Sequence, residues 1–282
     1  MDKQLKHDLQ VFAAEIRLQT LKIIGSRGFG HVGGSMSMAD AMAVLYGEVM
    51  NVDPKNPKMD ERDWFVLSKG HGGPVMYATL GLKGYYPVED AYQLNQPRTK
   101  FPSHTDRLQT IGVDMTTGSL GQGMSEAVGA AIGKKIQGLP GTVYCAVGDG
   151  ESDEGQVWEG AQCAAHYKLD NFVLFVDNNK RQLDGAVEDV MSHGKGIGAK
   201  LDAFGFNVID LPDGNDVEQI YDALMAAKEV KGQPTAIILN TVKGKGASFA
   251  ESTGAHSSQP SQEQWEEAIA ISQAALDEIK NA

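Results

Sequence analysis

Residues 142–155 read TVYCAVGDGESDEG, and residues 171–185 read NFVLFVDNNKRQLDG. Each is an apolar run of strand length that ends in a polar turn. Between them, residues 155–167 space their apolar positions as a helix does, so the unit reads strand–helix–strand. Such a unit makes its two strands parallel, and both then end at the same edge of the sheet. Asp149 and Asn179, thirty positions apart, project together from the C-terminal ends of neighbouring strands, where open α/β sheets bind ligands. A carboxylate and an amide oxygen are hard donors that suit Mg2+ or Ca2+, and Mg2+ completes its shell with phosphate oxygens and water. Gly148 and Gly150 let backbone N–H groups approach phosphates, and a helix beginning near Glu154 turns its positive end toward them. GDG or NN alone is what an ordinary turn contains. The two together, at this spacing and behind two apolar strands, point to a metal–diphosphate site.

The rest of the chain extends the same architecture. Residues 5–27 form a helix with Leu9, Phe12, Ala13, Ile16, Leu18 and Ile23 on its apolar face, and GFGHVGGS (28–35) breaks it. A second helix runs from about Ser37 to Val49. WFVLS (64–68) reads as a buried strand, SKGHGG (68–73) as a strand-to-helix turn, and 74–82 as the start of a helix. Residues 85–117 are irregular and aromatic, with Pro87, Pro97 and Pro102, and so long a loop in a compact domain is usually functional or disordered. TTGSLGQG (116–123) precedes a helix reaching about 137. FNVIDL, a helix over 216–230 and TAIILNTV follow, and an acidic amphipathic helix covers 261–282. This alternation predicts an α/β fold: one parallel sheet with helices on both faces, in a single domain over 1–282 with a helical N-terminal segment at about 1–60. No internal repeat or low-complexity segment occurs.

The 25 Lys plus Arg against 37 Asp plus Glu give a net charge of −12. Such a surface repels nucleic acid and anionic lipid at long range, so neither is expected as a partner. A phosphate site must then be a local arrangement of amides, metal or histidine. MDKQLKHDLQ is too polar to begin a signal peptide, and no run of about 18 apolar residues suggests a membrane span. Cys145 and Cys163 are expected to be two unrelated buried thiols rather than a disulfide, and the chain to work in the cytoplasm. The 33 glycines cluster at 28–34, 70–73, 118–123, 148–155 and 244–246, and glycine at such places means backbone approaching a ligand or a tight turn.

GDG followed about thirty residues later by NN resembles the thiamine-diphosphate fingerprint. Four further segments resemble transketolases in particular. Gly30-His31-Val32-Gly33-Gly34-Ser35 is similar to GHPGAP, and Ser68-Lys69-Gly70-His71-Gly72 to SNGHG. Pro102-Ser103-His104 is similar to PGH, and Thr116 to Gly123 to TTGPLGQG. They follow the family order over about residues 10–256, and the match is to the N-terminal subunit of a transketolase split over two polypeptides. The resemblance implies the fold of a diphosphate-binding (PP-type) domain, with thiamine diphosphate and Mg2+ (or Ca2+) as cofactors.

It also implies residue roles. Asp149, Asn179 and the main-chain carbonyl of Arg181 would hold the metal, although NNKRQLDG departs from the transketolase pattern around the last of these. Gly118, Ser119 and Leu120 would meet the cofactor's aminopyrimidine side, and Gly150 its diphosphate. His104 would bond the donor ketose near its C1 hydroxyl, and His31 would line the channel at the reacting carbonyl. His71 and His256 would lie by diphosphate and substrate; His256 stands in TGAHSSQ, where many relatives have HG. Glu154 matches a family glutamate of the cofactor network between chains, and it also suits a helix N-terminus. Histidine fits these tasks because it donates, accepts and moves protons near neutrality. His7, His166 and His193 match nothing and read as satisfied or surface side chains; Glu151 and Asp153 read as solvated.

In the family, a glutamate that promotes cofactor activation, the pyrimidine pocket and the site for a sugar phosphate's phosphate lie in later domains. A C-terminal transketolase subunit is therefore the expected partner, in an α2β2 assembly that acts on sugar (phosphate) substrates only when complete. Two other classes share GDG…NN: another thiamine-diphosphate enzyme subunit, of the dehydrogenase E1 α or deoxyxylulose-phosphate synthase type, and a non-catalytic regulatory subunit. The first is not expected to combine SKGHG and TTGSLGQG with His31 and His104. The intact Asp149, Asn179 and four histidines argue against the second.

Overall fold

A computed structural model describes residues 1–251, 256–257 and 259–282. Its centre is a five-stranded sheet of β1 (Trp64–Leu67), β2 (Val143–Gly148), β3 (Phe172–Asp177), β4 (Asn207–Leu211) and β5 (Thr235–Leu239). Every pairing is parallel, in the order β1-β2-β3-β5-β4. The helices are α1 (Lys3–Gly25), α2 (Val32–Met36), α3 (Ala39–Val44), α4 (Gly73–Lys83), α5 (Gln122–Gln137), α6 (Gly155–His166), α7 (Val187–Val190), α8 (Ile197–Phe204), α9 (Val217–Glu229), α10 (Ser248–Glu251) and α11 (Gln262–Lys280). The expected α/β architecture is present.

Side chains of a strand alternate between faces, and this divides the core in two. Tyr144, Ala146, Val173, Phe175, Ile237 and Leu239 pack with α1, α3, α4 and α9. Val143, Cys145, Val147, Phe172, Leu174 and Val176 pack with α5, α6 and α8. All six residues of β2 and of β3 are buried, which explains why these strands read as continuous apolar runs rather than alternating ones. The chain runs one way along the sheet from β1 through β2 and β3, skips one place to the edge strand β4, and turns back there through α9 to β5. Ligands of open α/β sheets bind outside the C-terminal ends of the strands, where the turns after β2 and β3 lie.

The terminal helices pack on each other. Trp265 and Ala268 of α11 are buried with Leu21 and Ile24 of α1, and Leu276 with Ala14 and Leu18. Ser261 and Gln264 start α11 with a reciprocal capping box, which satisfies two of its free N–H groups. No helix among the described residues is long and apolar enough to cross a membrane.

Three local expectations are corrected. GFGHVGGS does not break the helical path throughout: α2 already begins at Val32, because only Gly28 and Gly30 need positive φ. The second helix is divided, α3 passing into a π-turn over Leu45–Val49. Both cysteines are free as expected, but only Cys145 is buried; Cys163 is half-exposed on α6.

Candidate active site

The GDG turn follows β2 directly, and the NN turn follows β3. Gly148 pairs with Asp177 in the ladder, so the residues just beyond them face one another. Asp149 is 1% exposed. Its Oδ1 accepts the Gly150 N–H at 2.8 Å and its Oδ2 the Lys180 N–H at 2.5 Å, its only hydrogen bonds from side-chain atoms among the described residues. A carboxylate has about four lone-pair sites, so acceptor capacity remains. Burial, then the charge of Asp177, pushes the Asp149 carboxyl up to about 6. A buried carboxylate that disfavours its own charge and has spare lone pairs is suited to a cation.

Asn179 is held in one orientation. Its Nδ2 donates to Asp177 Oδ2 at 3.1 Å, and its Oδ1 accepts from the Arg181 N–H at 3.1 Å. Asp177 is the hub beneath. Its Oδ2 also accepts from Ser37 Oγ at 2.7 Å and from Lys69 Nζ, and its Oδ1 accepts from Thr241 Oγ1. Burial opposes the Asp177 charge, but Lys69 and these donors hold its carboxyl below the ordinary range.

Asp149, Gly150, Asn179 and Arg181 line one cavity of about 180 Å3, together with His71, His256 and Leu120. A carboxylate, an amide and a main-chain carbonyl on one wall are the hard oxygen donors a divalent cation takes. Among the described residues no group of three or more His, Cys, Asp or Glu could hold a metal ion, and this donor set is not of that type.

The four singled-out histidines form one cluster. Ring centroids lie 5.4 Å apart for His31 and His71, 5.5 Å for His31 and His104, 5.2 Å for His31 and His256, and 4.6 Å for His71 and His256. All four have lowered pKa values, with burial as the first cause. For His71 the next cause is Lys69 and for His256 it is Lys243, and His256 is pushed down to about 4. Each ring is therefore a neutral imidazole near pH 7, with one donor and one acceptor nitrogen. Most of the segment flanking His256, residues 252–255 and 258, lies outside the described residues.

Close backbone approach holds the histidines in place. A Cβ on Gly34 would lie 2.8 Å from His71 Nε2, and one on Gly70 would lie 2.7 Å from the Thr117 backbone. Glycine is required at both, which joins GHVGGS to SKGHG and SKGHG to TTGSLG. His104 sits on a loop tied by Thr105 Oγ1 to Thr117 Oγ1 at 2.7 Å and lies against Gly118. Ser119 is exposed beside it. Glu154 is the exposed N-cap residue of α6 and lies against Gly121, outside the cavity lining.

Four contributors were not legible in the sequence. Glu151, expected to be solvated, is 3% exposed. It accepts from Ser68 Oγ, from the Gly121 N–H at 2.8 Å and from the Gly148 N–H at 3.0 Å. Lys69 and Lys243 both line the cavity, and Asp177 accepts from two of its lining residues, Lys69 and Asn179. Burial, then the charge of Lys69, pushes Lys243 down to about 8. The glycine cluster at 244–246 was the one sequence signal near Lys243. Asp153 is half-buried, where Gln182 Nε2 donates to its Oδ2 at 2.7 Å. His193 is buried, its Nε2 3.0 Å from the Asp149 carbonyl, so it is satisfied; His166 is exposed.

Comparison with known proteins identifies the family. Residues 9–271 match the family described as transketolase, thiamine diphosphate binding domain. A 6-deoxy-6-sulfo-D-fructose transketolase subunit from Clostridium sp. is 48% identical over 264 residues, 93% of this chain and 95% of that protein. One of the apulose-4-phosphate transketolase subunits, from Actinobacillus succinogenes, is 39% identical over 79% of each chain. Among solved structures, the transketolase of Leishmania mexicana superposes with a TM-score of 0.85 at 30% identity, covering 97% of this chain. The chain spans 45% of that transketolase.

Proposed function

This chain belongs to the transketolase family through its thiamine-diphosphate-binding domain, and on that premise we propose that it is the diphosphate-binding subunit of a two-chain transketolase. The observation that carries this reading is the convergence of Asp149, Asn179 and the Arg181 carbonyl with His71 and His256 on one cavity at the C-terminal edge of the sheet. The relatives named as subunits support the second chain, since this chain covers 95% of one such subunit.

In this reading Asp149, Asn179 and the Arg181 carbonyl hold Mg2+, and Gly150 and His71 face the diphosphate. When bound, thiamine diphosphate supplies the carbon nucleophile for two-carbon ketol transfer. Neutral imidazoles at His31, His104 and His256 can donate to the carbonyl and hydroxyl oxygens of a ketose and take protons back from them. His104, whose ring lies 5.5 Å from that of His31, bonds the C1 hydroxyl of the donor in this reading. The partner subunit supplies the pyrimidine side, which Gly118, Ser119 and Leu120 approach from this chain; Glu154, exposed at the head of α6, is available to that subunit. The assembly works in the cytoplasm.

The test is ketol transfer by the purified chain mixed with its partner chain, Mg2+ and thiamine diphosphate. Two relatives are named for different donors, so the panel includes 6-deoxy-6-sulfo-D-fructose and apulose-4-phosphate with common aldose acceptors. Transfer from at least one ketose is expected. A mixed complex that binds the cofactor yet transfers nothing from any ketose would overturn the reading.

A further inference from the structure

We propose that His193 is a positioning residue that aims the Asp149–Gly150 peptide at the cavity; this rests on the metal–diphosphate reading of the site. His193 is 7% exposed and lies outside the cavity lining, against the turn that follows β2. Its Nε2 is 3.0 Å from the Asp149 carbonyl. A carbonyl only accepts, so Nε2 carries the proton. Nδ1 is then the acceptor, and Lys200 Nζ donates to it at 3.4 Å. Asp153 Oδ1 lies 3.9 Å from the same nitrogen, too far for a hydrogen bond. One donor contact and one acceptor contact fix the orientation of the ring.

The segment before α8 is bent to turn this ring inward. Gly194 and Gly196 flank the bend with φ of +64° and +94°, values that favour glycine. Ser192 Oγ accepts the Gly194 N–H at 3.3 Å and donates to Glu188 Oε2 at 2.7 Å. The Gly196 N–H donates to the His193 carbonyl at 3.3 Å. Lys200 of α8 also stands over the Trp158 ring at 5.1 Å, and Trp158 Nε1 donates to the Ser152 carbonyl at 2.8 Å. The imidazole therefore bridges the connection between β3 and α8 to the turn after β2.

That bridge has a consequence for the cavity wall. A peptide group is planar and trans, so its C=O and N–H point in opposite directions. The Asp149 carbonyl accepts from His193 and from the Ser152 N–H at 3.1 Å. Held on that side, the same peptide presents its Gly150 N–H to the other, where it donates to Asp149 Oδ1 at 2.8 Å. Asp149 and Gly150 both line the cavity. Without His193 the carbonyl loses one of its two partners. The peptide is then free to tilt, and the amide and the carboxylate bonded to it tilt with it. Groups that orient metal ligands from outside typically contribute about 10–100-fold in metal affinity.

The experiment uses the full chain, with Mn2+ followed by electron paramagnetic resonance and inorganic pyrophosphate with Mg2+ by calorimetry. His193→Phe keeps a ring without the donor and should weaken both ligands about tenfold or more. His193→Asn places its amide near the Nδ1 position, short of the carbonyl. It should show the same loss, which guards against a folding defect of the phenylalanine variant. His193→Gln places its amide near the Nε2 position and should restore most of the affinity, a rescue that a general packing role would not give. Wild-type affinity for both ligands in His193→Phe and His193→Asn, or losses in His193→Gln as large as in His193→Phe, overturns the proposal. Asp149→Ala separates the two levels. If it loses both ligands while His193→Phe loses neither, the proposal alone fails. If Asp149→Ala keeps both at wild-type affinity, the site reading fails and the proposal with it.

Discussion

Oε1 of Glu151 accepts the backbone N–H of Gly121 at 2.8 Å, and the same oxygen accepts from Ser68 Oγ. With Oε2 on the Gly148 N–H, one carboxylate joins the turn after β2 to the turn after β1 and to the loop before α5. Removing it strands three donors in a buried place, and each stranded group costs about 1–3 kcal/mol. Glu151→Ala should destabilise the chain by about 3 kcal/mol or more in urea denaturation. A change under about 0.5 kcal/mol, the size of an ordinary surface substitution, would show that the staple does not matter.

Asp149→Ala should abolish Mg2+-dependent thiamine-diphosphate binding in the two-chain complex. The carboxylate is buried, with lone pairs to spare, on the cavity wall. Calorimetry is the measurement, and an unaltered cofactor affinity would remove Asp149 from the site.

His104→Ala should raise the donor KM with little effect on cofactor binding. Its ring touches His31 but does not line the metal end of the cavity. One hydrogen bond to a neutral hydroxyl contributes about 0.5–1.5 kcal/mol, roughly a twofold to twelvefold change. Unchanged kinetics with every ketose would exclude the role.

The four clustered histidines should titrate below 6.5, His256 near 4, in NMR spectra of imidazole-labelled protein. Their folded pKa values lie below the unfolded one. The unfolded chain therefore takes up protons first, and these groups withdraw stability as pH falls below 6.5. Asp149, raised to about 6, acts oppositely: it withdraws stability as pH rises from 3.8 toward 6. Melting curves mix the two, whereas NMR separates them. A ring of this cluster that titrates above 6.5 contradicts the packing described.

The two chains should co-purify as an α2β2 tetramer, since two-fold closure is the commonest symmetry. The contact should bury on the order of 2,000 Å2 or more and be largely apolar. Light scattering and recovery of activity on mixing are the measurements. Full activity from this chain alone would refute the two-chain reading.

The sequence by itself determined the sheet and the pairing of Asp149 with Asn179. Both follow from local patterns: two apolar strands, one helix between them, and a connection that leaves parallel neighbours as the outcome. The glycine-rich turns at 30–35, 68–73 and 116–123 likewise marked where histidines would meet, because each glycine is a demand of the backbone at that point. Only the tertiary structure decided what Glu151, Lys69, Asp177 and Lys243 do. Their partners are Ser68 and Gly121, Asp177, Ser37 and Thr241, and Arg181, most of them far away in the chain. In the sequence Glu151 is one acid among several in an exposed-looking turn, and Lys243 one base in a glycine-rich tail. Whether such a charge meets water or a buried partner depends on which loops the sheet brings to one edge, and no local pattern records that.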